Sequence, residues 1–190
     1  GIILMSKILV DTIDTRSGTT TLTLGSSNAN TLSLNSSITT LPSTLTNTPM
    51  FGVYGNGTTV GNNSYTKIEF QNEVYDTDSA FDSSSNYRFT VPSGKGGYYS
   101  FNIILAPDNG VTFTDWRAQL YKNGSGGGQA AGFFNFVSDT KDVSGDFPNI
   151  TGSCVVNLSA GDYIEVYGYH NSGSNRTFNW PFFQGHRLIT

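Results

Sequence analysis

Charge is scarce in this sequence. Lys and Arg number 10 and Asp and Glu 14 among 190 residues, a net charge of −4. Charged residues are 13% of the chain, about half the usual share. No basic face is available to meet phosphates, so a general nucleic-acid binder is excluded. Cysteine is nearly absent. Cys154 stands alone, so no intrachain disulfide framework exists, and it reads as a small buried hydrophobe in a strand. With His170 and His186 it cannot make a structural zinc site at the usual spacings. Long apolar runs are also missing. The opening GIILMSKILV is broken by Lys7 and ended by Asp11. It is too short to span a bilayer and lacks the form of a signal peptide, so no membrane insertion is expected.

What is abundant is Gly, Ser, Thr and Asn, together 85 of 190 residues. All four are poor in helix interiors. Yet 13% of the chain is aromatic, too much for a disordered polymer. An all-β globular protein with many turns follows.

The aromatic residues are unevenly placed. All of them lie between Phe51 and Phe183, and charge vanishes between Arg16 and Lys67. A boundary is therefore predicted near Pro49, dividing residues 1–49 from 50–190. The first region holds a short repeat. Thr21-Leu22-Thr23-Leu24-Gly25-Ser26-Ser27 returns as Thr31-Leu32-Ser33-Leu34-Asn35-Ser36-Ser37. Each copy alternates apolar and polar, the period of a half-buried strand, and ends in a turn-forming cluster. A lone chain this thin cannot bury those leucines, whereas identical chains stacked around an axis can. The reading is a β-rich stalk with Leu22, Leu24, Leu32 and Leu34 facing the axis; a flexible Ser/Thr linker is the alternative.

Residues 50–190 read as successive short strands: 50–54, 67–70, 87–91, 97–105, 116–122, 133–137, 153–158, 163–169 and 182–188. Strong turn signals separate them, such as Pro92-Ser93-Gly94, Asn123-Gly124 and Ala160-Gly161-Asp162. This spacing indicates a sandwich or jelly roll. The aromatic residues at alternate strand positions supply the core.

One run, Phe70-x5-Asp76-x4-Phe81-x7-Phe89-x7-Gly97-x-Tyr99-x-Phe101, resembles the globular head of complement component 1q, which shares its jelly roll with tumour necrosis factor. Leu120-Tyr121-Lys122-Asn123-Gly124, Leu158-Ser159-Ala160-Gly161-Asp162-Tyr163 and Phe183-Gln184-Gly185 followed by Leu188 are similar to the family's later hairpin, turn and closing strand. The family's usual aromatic is replaced here by Ile103. The resemblance implies a ten-stranded jelly-roll knob that forms a homotrimer, with Phe70, Phe81, Phe89, Tyr99 and Phe101 in its core. The segment Ser6–Gly18, running into the Thr/Leu repeats, resembles the opening of structural proteins of marine tailed bacteriophages. It implies a virion location, with residues 1–49 docking on other virion proteins.

No catalytic constellation emerges. No G-x-S-x-G elbow is present. His170 and His186 read as surface or interface residues. Glu69 with Glu73 and Asp76 with Asp78 lie in polar, turn-rich text rather than in a cleft. No phosphate-binding loop opens a helix. No cofactor is expected; calcium is the one ion worth considering, through Asp76, Asp78 and Asp82 or Asp139, Asp142 and Asp146.

The leading expectation is a non-enzymatic phage virion protein, assembled in the host cytoplasm and exposed on the particle. It would serve as a trimeric capsid decoration or head fibre, or as a short fibre knob that meets a host-surface glycan through three copies. The alternative is a secreted trimeric recognition module binding glycans or proteins. A polysaccharide depolymerase would need convergent carboxylates. Loops 55–65, 108–115 and 137–147 would choose any ligand. The stalk reading carries a direct test. Replacing Leu22 and Leu24 by Asp is expected to dissociate or melt the stalk. Unchanged oligomer mass and melting temperature would contradict it.

Overall fold

The computed structural model describes residues 47–108, 115–126, 135–138 (backbone only) and 149–188. Leu22, Leu24, Leu32 and Leu34 lie outside these residues, as do Asp139, Asp142 and Asp146. The described chain runs β1 (Met50–Tyr54), β2 (Thr58–Val60), β3 (Thr66–Lys67), β4 (Asn72–Asp76), β5 (Phe81–Asp82), β6 (Arg88–Thr90), β7 (Gly97–Pro107), β8 (Trp116–Lys122), β9 (Asn135–Ser138), β10 (Ile150–Leu158), β11 (Tyr163–His170) and β12 (Arg176–Arg187).

These strands form two antiparallel six-stranded sheets. Sheet A has the order β10-β7-β12-β1-β4, with β2 on β12; sheet B has the order β5-β6-β11-β8-β9, with β3 on β11. The architecture is an all-β jelly-roll sandwich. Ten strands were implied by the family resemblance; twelve are described, but β3 and β5 are only two residues long.

Period-2 patterning explains the long strands. In β7, Tyr99, Phe101, Ile103 and Leu105 are buried while Tyr98 and Ile104 are exposed. In β11, Ile164, Val166, Gly168 and His170 point inward. Burial of each large side chain contributes about 1.5–3 kcal/mol.

The rings meet around Phe51. It stacks on Phe89 at 4.9 Å and on Phe81 at 5.2 Å, both from sheet B, and meets Phe183 of sheet A edge-on at 5.0 Å. Phe70 packs against Phe81 and Phe183. Tyr99 and Phe101 close the cluster against Phe89. The Tyr99 hydroxyl donates to the Lys95 carbonyl at 2.6 Å. Burial raises that phenol to about 12, so it stays a protonated donor.

Three departures from the sequence reading have physical causes. The strand predicted over 67–70 stops at Lys67, although Ile68 still donates to the Val166 carbonyl at 2.9 Å. There the Glu69 amide turns to the Thr58 hydroxyl, 2.9 Å away. Strand β4 has no alternation to read. It is an edge strand, its register shifts opposite Gly52 and Val53, and its central residues are all exposed. The last strand begins at Arg176 rather than Phe182, because a bulge between Asn179 and Phe182 joins a polar stretch to the apolar one.

Close packing requires glycine at position 185. A Cβ there would sit 2.5 Å from the Phe101 ring and 2.9 Å from that of Phe51. Gly185→Ala is expected to destabilise the domain by about 1–3 kcal/mol, read as a lower urea midpoint. Gly96→Ala, where a Cβ would make ordinary contacts, is the control. Equal midpoints for the two variants would show that the cluster yields.

Candidate functional site

The strand register decides which side chains leave the sandwich. On the outward side of sheet A, Val155, Ser100, His186 and Met50 form one row across the strands. Ser153, Asn102, Gln184, Gly52 and Tyr75 form the next. Thr151, Ile104, Phe182, Tyr54 and Asn72 form a third. None of these positions holds Lys, Arg, Asp or Glu. The Tyr75 ring lies over Gly52, and its hydroxyl donates to Gln184 Oε1 at 3.3 Å. Met50, Tyr54, Tyr75, Tyr98, Ile104 and Val155 are all exposed. A depression of about 410 Å³ runs along this face, lined by Asn102, Ile104, Thr151, Ser153 and Gln184. This face is free of formal charge across five strands and exposes large apolar side chains on both sides of a polar middle row, a mixture that suits an interface.

The outward side of sheet B is different. Its charges are paired within the chain. Lys67 Nζ lies 2.6 Å from the Glu165 carboxylate, which is almost completely buried. Arg88 stacks over the Tyr163 ring at 4.1 Å. Arg117 donates to Asp115 and to the Tyr65 hydroxyl, which hold its guanidinium firmly charged. Tyr121 and Tyr167 stack at 3.9 Å, and burial raises both phenols. This face satisfies its own charges, with its centre covered by the side chains around Glu165 and Gln119.

The residues that could carry chemistry do not converge. His170 was read as a surface or interface residue. It is instead fully buried, because the alternation of β11 points it inward. Its Nε2 lies 2.9 Å from the Val60 carbonyl, and its Nδ1 faces the Ser172 amide and hydroxyl. His186 lies apart from it, in the first outward row of sheet A. Cys154 faces the core from β10, where burial pushes its thiol up to about 12; it is no nucleophile at neutral pH. The three described calcium candidates are engaged locally. Asp76 accepts from the Asp78 and Phe81 amides, Asp82 from the Ser84 and Ser85 amides, and Asp78 faces Lys95 at 3.7 Å. Among the described residues no three His, Cys, Asp or Glu side chains are grouped to hold a metal.

The sequence reading missed the most exposed aromatic among the described residues. Trp180 is 74% exposed and sits in the bulge of β12 with φ of +51°. The pair Trp180-Pro181 was the available signal, since a residue before proline is barred from ordinary helical backbone. It lies outside the loops expected to choose a ligand.

No family model matches the chain. It is 26% identical over 121 residues to the uncharacterized protein YqcC of Bacillus subtilis (strain 168). That match covers 60% of this chain but only 30% of the relative. Among solved structures, the globular domain of zebrafish complement 1qA protein is similar with a TM-score of 0.52 at 17% identity, over 74% of this chain and 97% of that one. The PRD1 vertex protein P5 gives 0.56 at 13%, over 75% and 99%. Murine APRIL gives 0.50 at 15%, over 73% and 99%. At these identities the likeness is one of fold.

The hairpin at Asn123-Gly124 offers an electrostatic test. Both residues have positive φ, 54° and 74°, which suits this pair at a tight turn. Asp162 fastens the turn to the start of β11. It accepts from Asn123 Nδ2 at 2.8 Å and the Ser159 amide at 2.9 Å, and pairs with Lys122 at 2.7 Å. Asn123 first, then Lys122, lowers its carboxyl from 3.8 to about 2. A folded value below the unfolded one gives stability that is present above the unfolded value and lost as pH falls. Acid titration is therefore expected to remove about 1 kcal/mol between pH ~4 and ~2. Asp162→Asn should lose that increment at neutral pH and show a flatter acid limb; superimposable acid limbs would contradict the assignment.

Proposed function

We propose that this chain is a non-enzymatic structural protein of a bacteriophage particle, a homotrimer whose jelly-roll knob stands on the particle surface. The observation that carries the reading is the outward face of sheet A. Burying Met50, Tyr54, Tyr98, Ile104, Val155 and Phe182 between copies removes apolar area from water without desolvating a formal charge. An interface core demands this, because a buried unpaired charge is costly. Closed rotational symmetry buries the same face on every copy and leaves no open end.

The particle location is supported by the fold likeness to the PRD1 vertex protein P5, taken with the resemblance of residues 6–18 to phage structural proteins. In this reading residues 1–49 attach the protein to other virion components, and the leucine repeats form a stalk. The knob decorates the capsid or serves as a fibre tip. Three knobs on one stalk multiply a weak single contact with a repeated host-surface glycan.

Ile104→Asp tests both parts together. The unaltered chain is expected to behave as three copies in sedimentation and to co-purify with phage particles. Combined with Leu22→Asp and Leu24→Asp, which remove the stalk contact, the variant should keep its β-sheet spectrum, fall to single copies and leave the particle fraction. A variant that remains three copies would remove sheet A from the interface. An unaltered chain absent from particles would end the virion reading.

A further inference from the structure

Trp180 is held where an aromatic residue is costly to keep. Its backbone occupies the left-handed region, which non-glycine residues rarely adopt. Strained positions and bulges that re-aim a side chain gather at functional sites. The local structure fixes this presentation from both sides. The Gly55 amide donates to the Pro181 carbonyl at 2.9 Å. Asp108 accepts from the Thr177 amide at 2.9 Å and from Asn179 Nδ2 at 2.7 Å, while its own amide donates to the Thr177 carbonyl at 3.0 Å. The ring therefore stands out on a rigid bulge, not on a loose loop.

Beside it, at the end of the outward face of sheet A and one row beyond Ile104, is a cleft of about 430 Å³ whose described lining is Ala106, Asn149, Asn179 and Trp180, within the size range of small-ligand sites. The chemistry of this lining is specific. Among its described residues no side chain is charged, and the described lining is neutral. The Asp108 carboxylate is occupied by Thr177 and Asn179. The Asn179 amide nitrogen is held by Asp108, and among the described residues no donor reaches its Oδ1, which presents an acceptor to the cleft. Ala106 keeps the floor shallow. The indole face carries negative charge density, which complements the C–H face of a sugar ring, polarised positive by its oxygens. An amide oxygen and an aromatic face together suit a hydroxyl and a C–H face on one molecule.

We propose that the cleft beside Trp180 binds a pyranose ring of a neutral glycan, with Trp180 as the stacking platform and Asn179 as a hydroxyl partner. The inference names the site of the glycan contact in the proposed surface role, and rests on that role only for the source of the sugar.

The full 190-residue chain is titrated with methyl pyranosides of glucose, galactose, mannose and N-acetylglucosamine, and tryptophan emission is followed. The other tryptophan, Trp116, is fully buried, so a sugar-dependent change reports Trp180. At least one pyranoside is expected to give a saturable change. Trp180→Phe should silence the emission change but keep binding by ligand-detected NMR, whereas Trp180→Ala should weaken binding about tenfold or more. Trp180→Gly separates a binding role from a structural one. Glycine adopts this backbone without strain, so its melting temperature should equal or exceed that of the unaltered chain while binding is lost. No saturable response to any of the four sugars would overturn the proposal. So would a Trp180→Gly variant with a lower melting temperature or fewer copies, which would assign the ring to a subunit contact. Either failure with particle co-purification intact leaves the surface role standing.

Discussion

Phe51 is the contact on which the rest of the knob depends. Its ring touches Phe81 and Phe89 of one sheet and Phe183 of the other. It thereby fixes the spacing of the sandwich and the inward face of β1. A strand with one face pinned has only one register, since a slip of one residue would turn every side chain over. With β1 fixed, pairing to β12 and then to β7 fixes the outward rows of sheet A. The uncharged face is thus a consequence of the aromatic core beneath it. Gly185 shows how tight the coupling is, because the ring cluster occupies the space that any side chain there would need.

The two outer faces of one sandwich follow different physical rules. Sheet B keeps its charges and neutralises them locally, as with Lys67 and Glu165 or Arg117 and Asp115. The Arg117–Asp115 pair is partly exposed and contributes modestly, whereas Lys67 neutralises an almost fully buried carboxylate that would be costly unpaired; neither needs a partner molecule. Among the described residues sheet A carries no such pairs on its outward face, and it exposes large apolar side chains in register. Water is a poor solvent for that face and a second copy is a good one. An assembly through sheet A would leave sheet B as its outer surface, which is consistent with a durable particle component that must stay soluble.

Much of this was legible in the sequence because it follows local rules. Met50–Tyr54 and Trp116–Lys122 read as strands with the bounds they have in the structure, since alternation and turn signals frame them. The all-β class followed from composition and the sandwich from strand spacing and turn signals. What escaped depends on neighbours distant in sequence. β4 has exposed central residues and a shifted register, so its text carries no period. His170 looked like a strand-end surface residue, yet the Val60 carbonyl and Ser172 meet its ring in the interior. Trp180 read, like every other aromatic, as core or subunit interface, and only the bulge shows that it stands outward. Of the carboxylates weighed for calcium, Asp76 and Asp82 are spent on backbone amides, a fate that composition cannot reveal.

The central claim is that this protein belongs to the outside of a phage particle. Immunogold labelling of particles from the source culture, with antibody raised against residues 50–190, tests it most directly. The account predicts gold on the particles, over the head for a decoration protein or at the tail tip for an adsorption protein. Particles free of gold, in a culture where the protein itself is detected, would contradict it and favour a secreted recognition module.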